Sequence, residues 1–133
     1  EDLREDGVVR DDTDQGLIAA VSDLADRVPN DLVVTRGPDR PAVARLDGLW
    51  YTVSPPRLAA VDWRGAGDAM AGAMAVAYLR GFSGVDALRF GAAAGAASVT
   101  RRGLASLDSE LVDALLPRVR VEAARDATRA LSA

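Results

Sequence analysis

After Phe90, the stretch RFGAAAGAAS (89–98) carries no side chain larger than a methyl or hydroxymethyl group. It falls in a predicted helix from Val85 to Thr100, after a Ser83-Gly84 break and with Asp86 in the first turn. A helix with so little bulk leaves voids in a core unless another element comes in closely. The chain must therefore stack its layers tightly. Composition agrees with that demand. Hydrophobic residues make up 49% and charged residues 27% of 133 positions, a globular balance. With two Trp, two Tyr and two Phe, the core has to be built mainly from Ala, Val and Leu. The length suits one domain over residues 1–133.

The remaining elements follow from periodicity and turn chemistry. GLIAAVSDLADRV (16–28) spaces Leu17, Ala20, Val21, Leu24 and Val28 as a helix, with Asp12, Thr13 and Asp14 as candidate caps and Pro29-Asn30 as its end. DLVVT (31–35) reads as a short buried strand, and RGPDRP (36–41) as a turn. AVARL (42–46) and LWYTV (49–53) flank Asp47-Gly48, a two-residue hairpin signal. Prolines keep SPPRLAAV (54–61) extended. A compact buried helix is predicted from Gly67 to Leu79, stopped by Gly81. A third helical segment, Leu111 to Leu116, is capped by Asp108 or Ser109. VRVEA is expected as an edge strand, with 122–133 ending as a surface helix or frayed tail. This order indicates an α/β layered domain. One clear central strand behind an acidic start reads as the second half of something larger.

Absences narrow the chemistry. The chain has no Cys and no His, which removes disulfides, thiolate nucleophiles, Ser-His-Asp catalysis and His- or Cys-ligated metals. A net charge of −4 argues against a nucleic-acid surface. No secretory signal or membrane-length apolar run is present, so no membrane partner and a cytoplasmic location are expected. Carboxylates, Arg, hydroxyls and backbone groups remain.

VDWRGAGDAMAG (61–72) uses such groups. A helix N-terminus offers unpaired N–H groups and partial positive charge. Gly65, Ala66 and Gly67 are placed to aim several amides at one phosphate or oxyanion. Asp68, expected at the first helical position, would stand beside that anion and accept a proton from an attacking hydroxyl. The plainer reading is an ordinary cap and turn, and the four-residue string alone does not decide between them.

Read in order, DLVVTRG, a hairpin, VDWRGAGDAMAG, an alanine-rich helix and SVTRRG resemble the ribokinase-like PfkB family of carbohydrate kinases, in its phosphofructokinase-like branch. The likeness is strong over about residues 31–107. It implies the C-terminal portion of a ribokinase-like three-layer α/β/α sandwich with a β-hairpin. It also implies an ATP-dependent phosphotransferase acting on a sugar or sugar-phosphate hydroxyl, with Mg2+ and a K+-type ion as cofactors. Asp68 would be the base, and Gly65, Ala66 and Gly67 the anion hole. Thr35, Gly37, Pro38, Asp39 and Arg40 would meet the nucleotide, and Ala92 would line the adenine pocket. Asp62, Arg64, Ser98, Arg101 and Gly103 fall where many members hold a monovalent cation. The sequence departs from the family pattern at Trp63-Arg64 (usually Thr-Thr), at Arg40 (usually Gly) and at Ala92 (often polar). The family's sugar-binding first half has no counterpart here, so the expected partner is a complementary N-terminal half or a second copy, and the chain alone is expected to lack the sugar site. The alternatives are a non-catalytic nucleotide-binding or interaction domain, and a remnant whose GAGD is only a capped turn.

Other features have plainer readings. Trp50-Tyr51 is expected to be hairpin packing rather than a stacking platform, and Met70 and Met74 are expected in the core. The acidic residues before position 15 read as solvated surface. Arg101-Arg102 fits phosphate contacts and a helix C-terminus equally.

Overall fold

The structure is a computed structural model that describes residues 13–37, 40–102 and 107–124. Its elements run α1 (Asp14–Arg27), β1 (Leu32–Val34), β2 (Ala42–Leu46), β3 (Leu49–Ser54), α2 (Ala66–Leu79), α3 (Gly84–Ser98), α4 (Ser109–Leu115), a 3-10 turn (Leu116–Arg118) and β4 (Arg120–Ala123). The acidic start, most of the predicted tail, Pro38, Asp39 and Gly103 lie outside the described residues.

The four strands form one antiparallel sheet in the order β1-β2-β3-β4. Its centre is the hairpin, which pairs Ala44 with Tyr51 and Arg45 with Trp50. Asp47 and Gly48 turn it with φ of 48° and 78°, the two positive angles that a type I′ turn requires. Strand alternation then sorts the side chains into two layers. Ala42, Ala44, Leu46 and Val53 face a core shared with α2, α3 and α4. Val43 and Trp50 face the opposite way, onto Leu17, Ile18, Val21 and Ala25 of α1. This is the α/β/α layering expected, with Trp50 and Tyr51 used in packing on opposite faces.

β1 corrects the expectation of a buried strand, since Leu32, Val33 and Val34 are all half-buried. It pairs only with β2, and no described element covers its outer edge. α2 is also less buried than predicted. Met70, Ala73, Met74 and Ala77 are enclosed, while Val76 and Leu79 are exposed. It ends as foreseen at Gly81, whose φ is 80°. There the Phe82 N–H reaches the Ala77 carbonyl and the Gly81 N–H reaches that of Tyr78, a Schellman closure.

α2 and α3 pack at the small-residue face. A Cβ on Gly91 would lie 2.9 Å from the Met70 carbonyl oxygen, and one on Gly95 would lie 3.0 Å from that of Ala66. A Cβ at Gly91 would collide and one at Gly95 would push its neighbour back, so the two backbones meet closely there. The contact at Gly95 bears directly on the start of α2, and so the fold holds residues 65–68 from behind.

Candidate active site

Side chains cap three of the described α-helices. Thr13 accepts from Gly16 N, Ser83 from Asp86 N, and Asp108 from Glu110 N and Leu111 N. The start of α2 differs. Its N-cap is Gly65, left-handed at φ 78°, and no side chain caps the first turn. The reason is local, because a glycine brings no oxygen to this position and no neighbour replaces it.

The candidate residues sit around this end. Asp68 is exposed. It is the third helical residue rather than the first, because the helix starts at Ala66. Gly67 is exposed as well, and the Thr35 hydroxyl at the end of β1 lies 3.8 Å from where its Cβ would be. The fold thus joins two motifs that are 32 residues apart. Of the three expected amide donors, Ala66 is withdrawn, since its N–H goes to the Trp63 carbonyl at 3.3 Å. That bond closes the turn leading into α2. Gly37 has φ 79° and is exposed, as is Arg40. Arg36 donates to the Pro41 carbonyl at 2.8 Å and pairs with Asp14 on α1. Ala92 needs correction: it is 3% exposed inside the core and presents no surface to a base. The small residues that suggested a pocket wall there serve helix packing instead.

The loop before α2 is tied down. Val61 N–H and Asp62 N–H both donate to the Val99 carbonyl at the end of α3, at 2.8 and 3.2 Å. The Asp62 carboxylate accepts from Arg64 three times, from its backbone N–H at 3.1 Å, its Nε at 3.0 Å and a terminal nitrogen at 2.9 Å. The side-chain hydrogen bonds from Arg64, then its backbone N–H, hold the Asp62 carboxyl below the ordinary carboxylate value, and the pair raises the Arg64 guanidinium in turn. Ser98 spends its hydroxyl on the Gly95 carbonyl at 2.8 Å. The Arg101 side chain pairs with Asp108 at 2.8 Å. Among the described residues, no group of three His, Cys, Asp or Glu is placed to hold a metal ion, and no helix is long and apolar enough to cross a membrane.

A cleft of about 680 Å³ opens at the other end of β1, lined by Val28, Asp31, Arg45, Asp47 and Tyr78 among others. Its organising contact was invisible in the sequence. Asp31 accepts from the Tyr78 hydroxyl at 2.7 Å and from Asp47 N at 3.1 Å. Burial, then the hydrogen bond to Asp31 and its charge, push the Tyr78 phenol up to about 12.

A family model for pfkB family carbohydrate kinases matches residues 4–110. The chain belongs to this family. Solved structures show the same fold. A Staphylococcus aureus protein assigned as a phosphofructokinase superposes with a TM-score of 0.75 at 20% identity, covering 86% of this chain and 36% of that one. Escherichia coli phosphofructokinase-2 in complex with potassium gives 0.70 at 24% identity, covering 80% and 34%. A Thermotoga maritima protein assigned as a 1-phosphofructokinase gives 0.74 at 18%, covering 88% and 37%. The chain therefore spans about a third of the length of these PfkB-type relatives. No curated protein sequence matches it. The three motifs quoted above fall inside the matched residues, and the covered part shares the fold of these solved structures.

Proposed function

We propose that the start of α2 is the phosphoryl-transfer end of an ATP-dependent kinase whose acceptor is a hydroxyl of a sugar or sugar phosphate. The observation that carries this reading is the uncapped, glycine-led first turn with an exposed carboxylate beside it. Amides that no side chain satisfies are ready donors for an anion, and family membership makes a phosphoryl group the expected one.

In this reading the acceptor O–H gives its proton to the Asp68 carboxylate. The oxygen forms a bond to the γ-phosphorus of ATP while the bond to the bridging oxygen breaks, and ADP leaves. The Gly65 and Gly67 amides stabilise charge developing on the transferring group. Thr35, Gly37 and Arg40 hold the nucleotide on the adjoining turn. Magnesium, when bound, would neutralise charge on the ATP phosphates.

Because the chain covers about a third of its relatives, positioning of the alcohol is assigned to the remainder of the kinase fold, and the chain alone is expected to give no turnover. The test uses a protein that combines this chain with that remainder. Asp68→Asn is expected to lower kcat for ADP release by about 10²- to 10⁴-fold while leaving ATP affinity within a few-fold. An unchanged kcat in the variant rejects the base assignment. ATP binding by calorimetry without sugar-dependent ADP release would instead favour a non-catalytic nucleotide module.

A further inference from the structure

The resemblance implies a monovalent cation around Asp62, Arg64, Ser98, Arg101 and Gly103, the last outside the described residues, and one solved relative is described in complex with potassium. Several of the groups that this chain places there have protein partners. Both Asp62 carboxylate oxygens accept from the Arg64 guanidinium. The Val99 carbonyl takes two N–H groups from the loop, and the Trp63 carbonyl takes the one from Ala66. At the end of α3 the Ala97 carbonyl accepts from Thr100 N and from its hydroxyl, and the Ser98 carbonyl accepts from Arg101 N. The Ser98 hydroxyl and the Arg101 side chain also have other partners. With both of its oxygens on the Arg64 guanidinium, the Asp62 carboxylate is a poor fit for a bound potassium ion.

We propose that the Arg64 guanidinium replaces the monovalent cation in this chain, supplying the positive charge beside Asp62 and ordering the loop that enters α2. Three physical points support this. The guanidinium is tethered two residues from its carboxylate, so it competes with a free ion as an intramolecular group at high effective concentration. Its fork matches the two carboxylate oxygens. A potassium ion in the same place would meet a like charge held at the carboxylate. The arginine at position 64 then makes the loop independent of an ion. Arg64 is thereby a positioning residue, acting through Asp62 and the turn at Trp63–Gly65.

The inference rests on placing the site at residues 65–68, but its test requires no turnover. Thermal unfolding is followed in KCl and in choline chloride at equal ionic strength, for the wild type, Arg64→Thr and Arg64→Lys. The wild type and Arg64→Lys are expected to show the same Tm in both salts. Arg64→Thr is expected to gain potassium-specific stabilisation, with Tm rising by about 5 °C once the ion is roughly tenfold above its dissociation constant. Trp63, adjacent and 60% exposed, supplies a second readout, its emission responding to potassium in Arg64→Thr only. A potassium-specific rise in the wild type overturns the proposal, and so does a folded Arg64→Thr that ignores potassium. If Arg64→Thr does not fold, the wild-type and Arg64→Lys arms still decide. A chain that passes this test yet binds no ATP would keep the inference and count against the kinase reading.

Discussion

Tyr78 and Asp31 stand 47 positions apart in the chain, and their side chains meet at 2.7 Å. The phenol is raised from 10 to about 12, so the neutral, hydrogen-bonded form is favoured in the folded state. A raised value means the contribution is complete below pH 10 and disappears as pH climbs from about 10 to about 12. Tyr78 is 40% exposed, and solvent screening reduces the effect to about 1 kcal/mol. Tyr78→Phe should therefore lower stability by that amount at pH 7, with the gap to wild type closing above pH 10. Urea midpoints measured from pH 7 to 11.5 check this, and a gap that stays constant throughout contradicts it. No spacing rule pairs Tyr78 with Asp31, so this contact could not be read from the sequence. Asp47-Gly48 could be, because its conformation is dictated by the two residues themselves.

Helix existence was legible and helix partnership was not. Every predicted helix in the described residues is present, with ends displaced by at most two residues where capping geometry rather than apolar period sets the boundary. The small-residue run announced a close approach, but only the fold shows that the approaching element is α2. The resulting prediction is a contrast between two glycines. Gly91→Ala gains about 1 kcal/mol of helix propensity. It also places a methyl 2.9 Å from the Met70 carbonyl and 2.4 Å from Met74 Cγ, an overpacking that costs about 1–3 kcal/mol. The clash wins because backbone cannot step aside as a side chain can. Gly72 has nothing within 4 Å, so Gly72→Ala should stabilise by about 0.5–1 kcal/mol. Denaturation midpoints moving in opposite directions would support the α2–α3 packing, and a stabilised Gly91→Ala would argue against it.

Taken as a whole molecule, the chain leaves apolar surface uncovered. Along α2, Ala71, Gly72, Ala75, Val76 and Leu79 form an exposed stripe at helical spacing, with Leu79 at 89%. β1 adds a free edge beside half-buried valines. A helix that is apolar nearly all round is suited to burial on both sides, and strand edges invite pairing. The purified chain should accordingly self-associate, its mass by light scattering rising with concentration, and Val76→Gln with Leu79→Gln should reduce that rise. A wild type that stays monomeric at all concentrations would refute this. Asp68 lies one turn before this stripe, so whatever covers α2 also borders the candidate site.

By itself the sequence determined the elements, the hairpin turn, the layered class and the family, because each rests on residues adjacent in the chain or on short fixed spacings. It located the candidate site at 65–68 for the same reason. Tertiary structure alone decided that Ala66 spends its amide on a turn, that Ala92 is core, that Thr35 stands beside Gly67, and that Arg64 clamps Asp62. Hydrogen-bond partners and burial depend on which surfaces meet in space, and one-dimensional order leaves that choice open until the layers are packed.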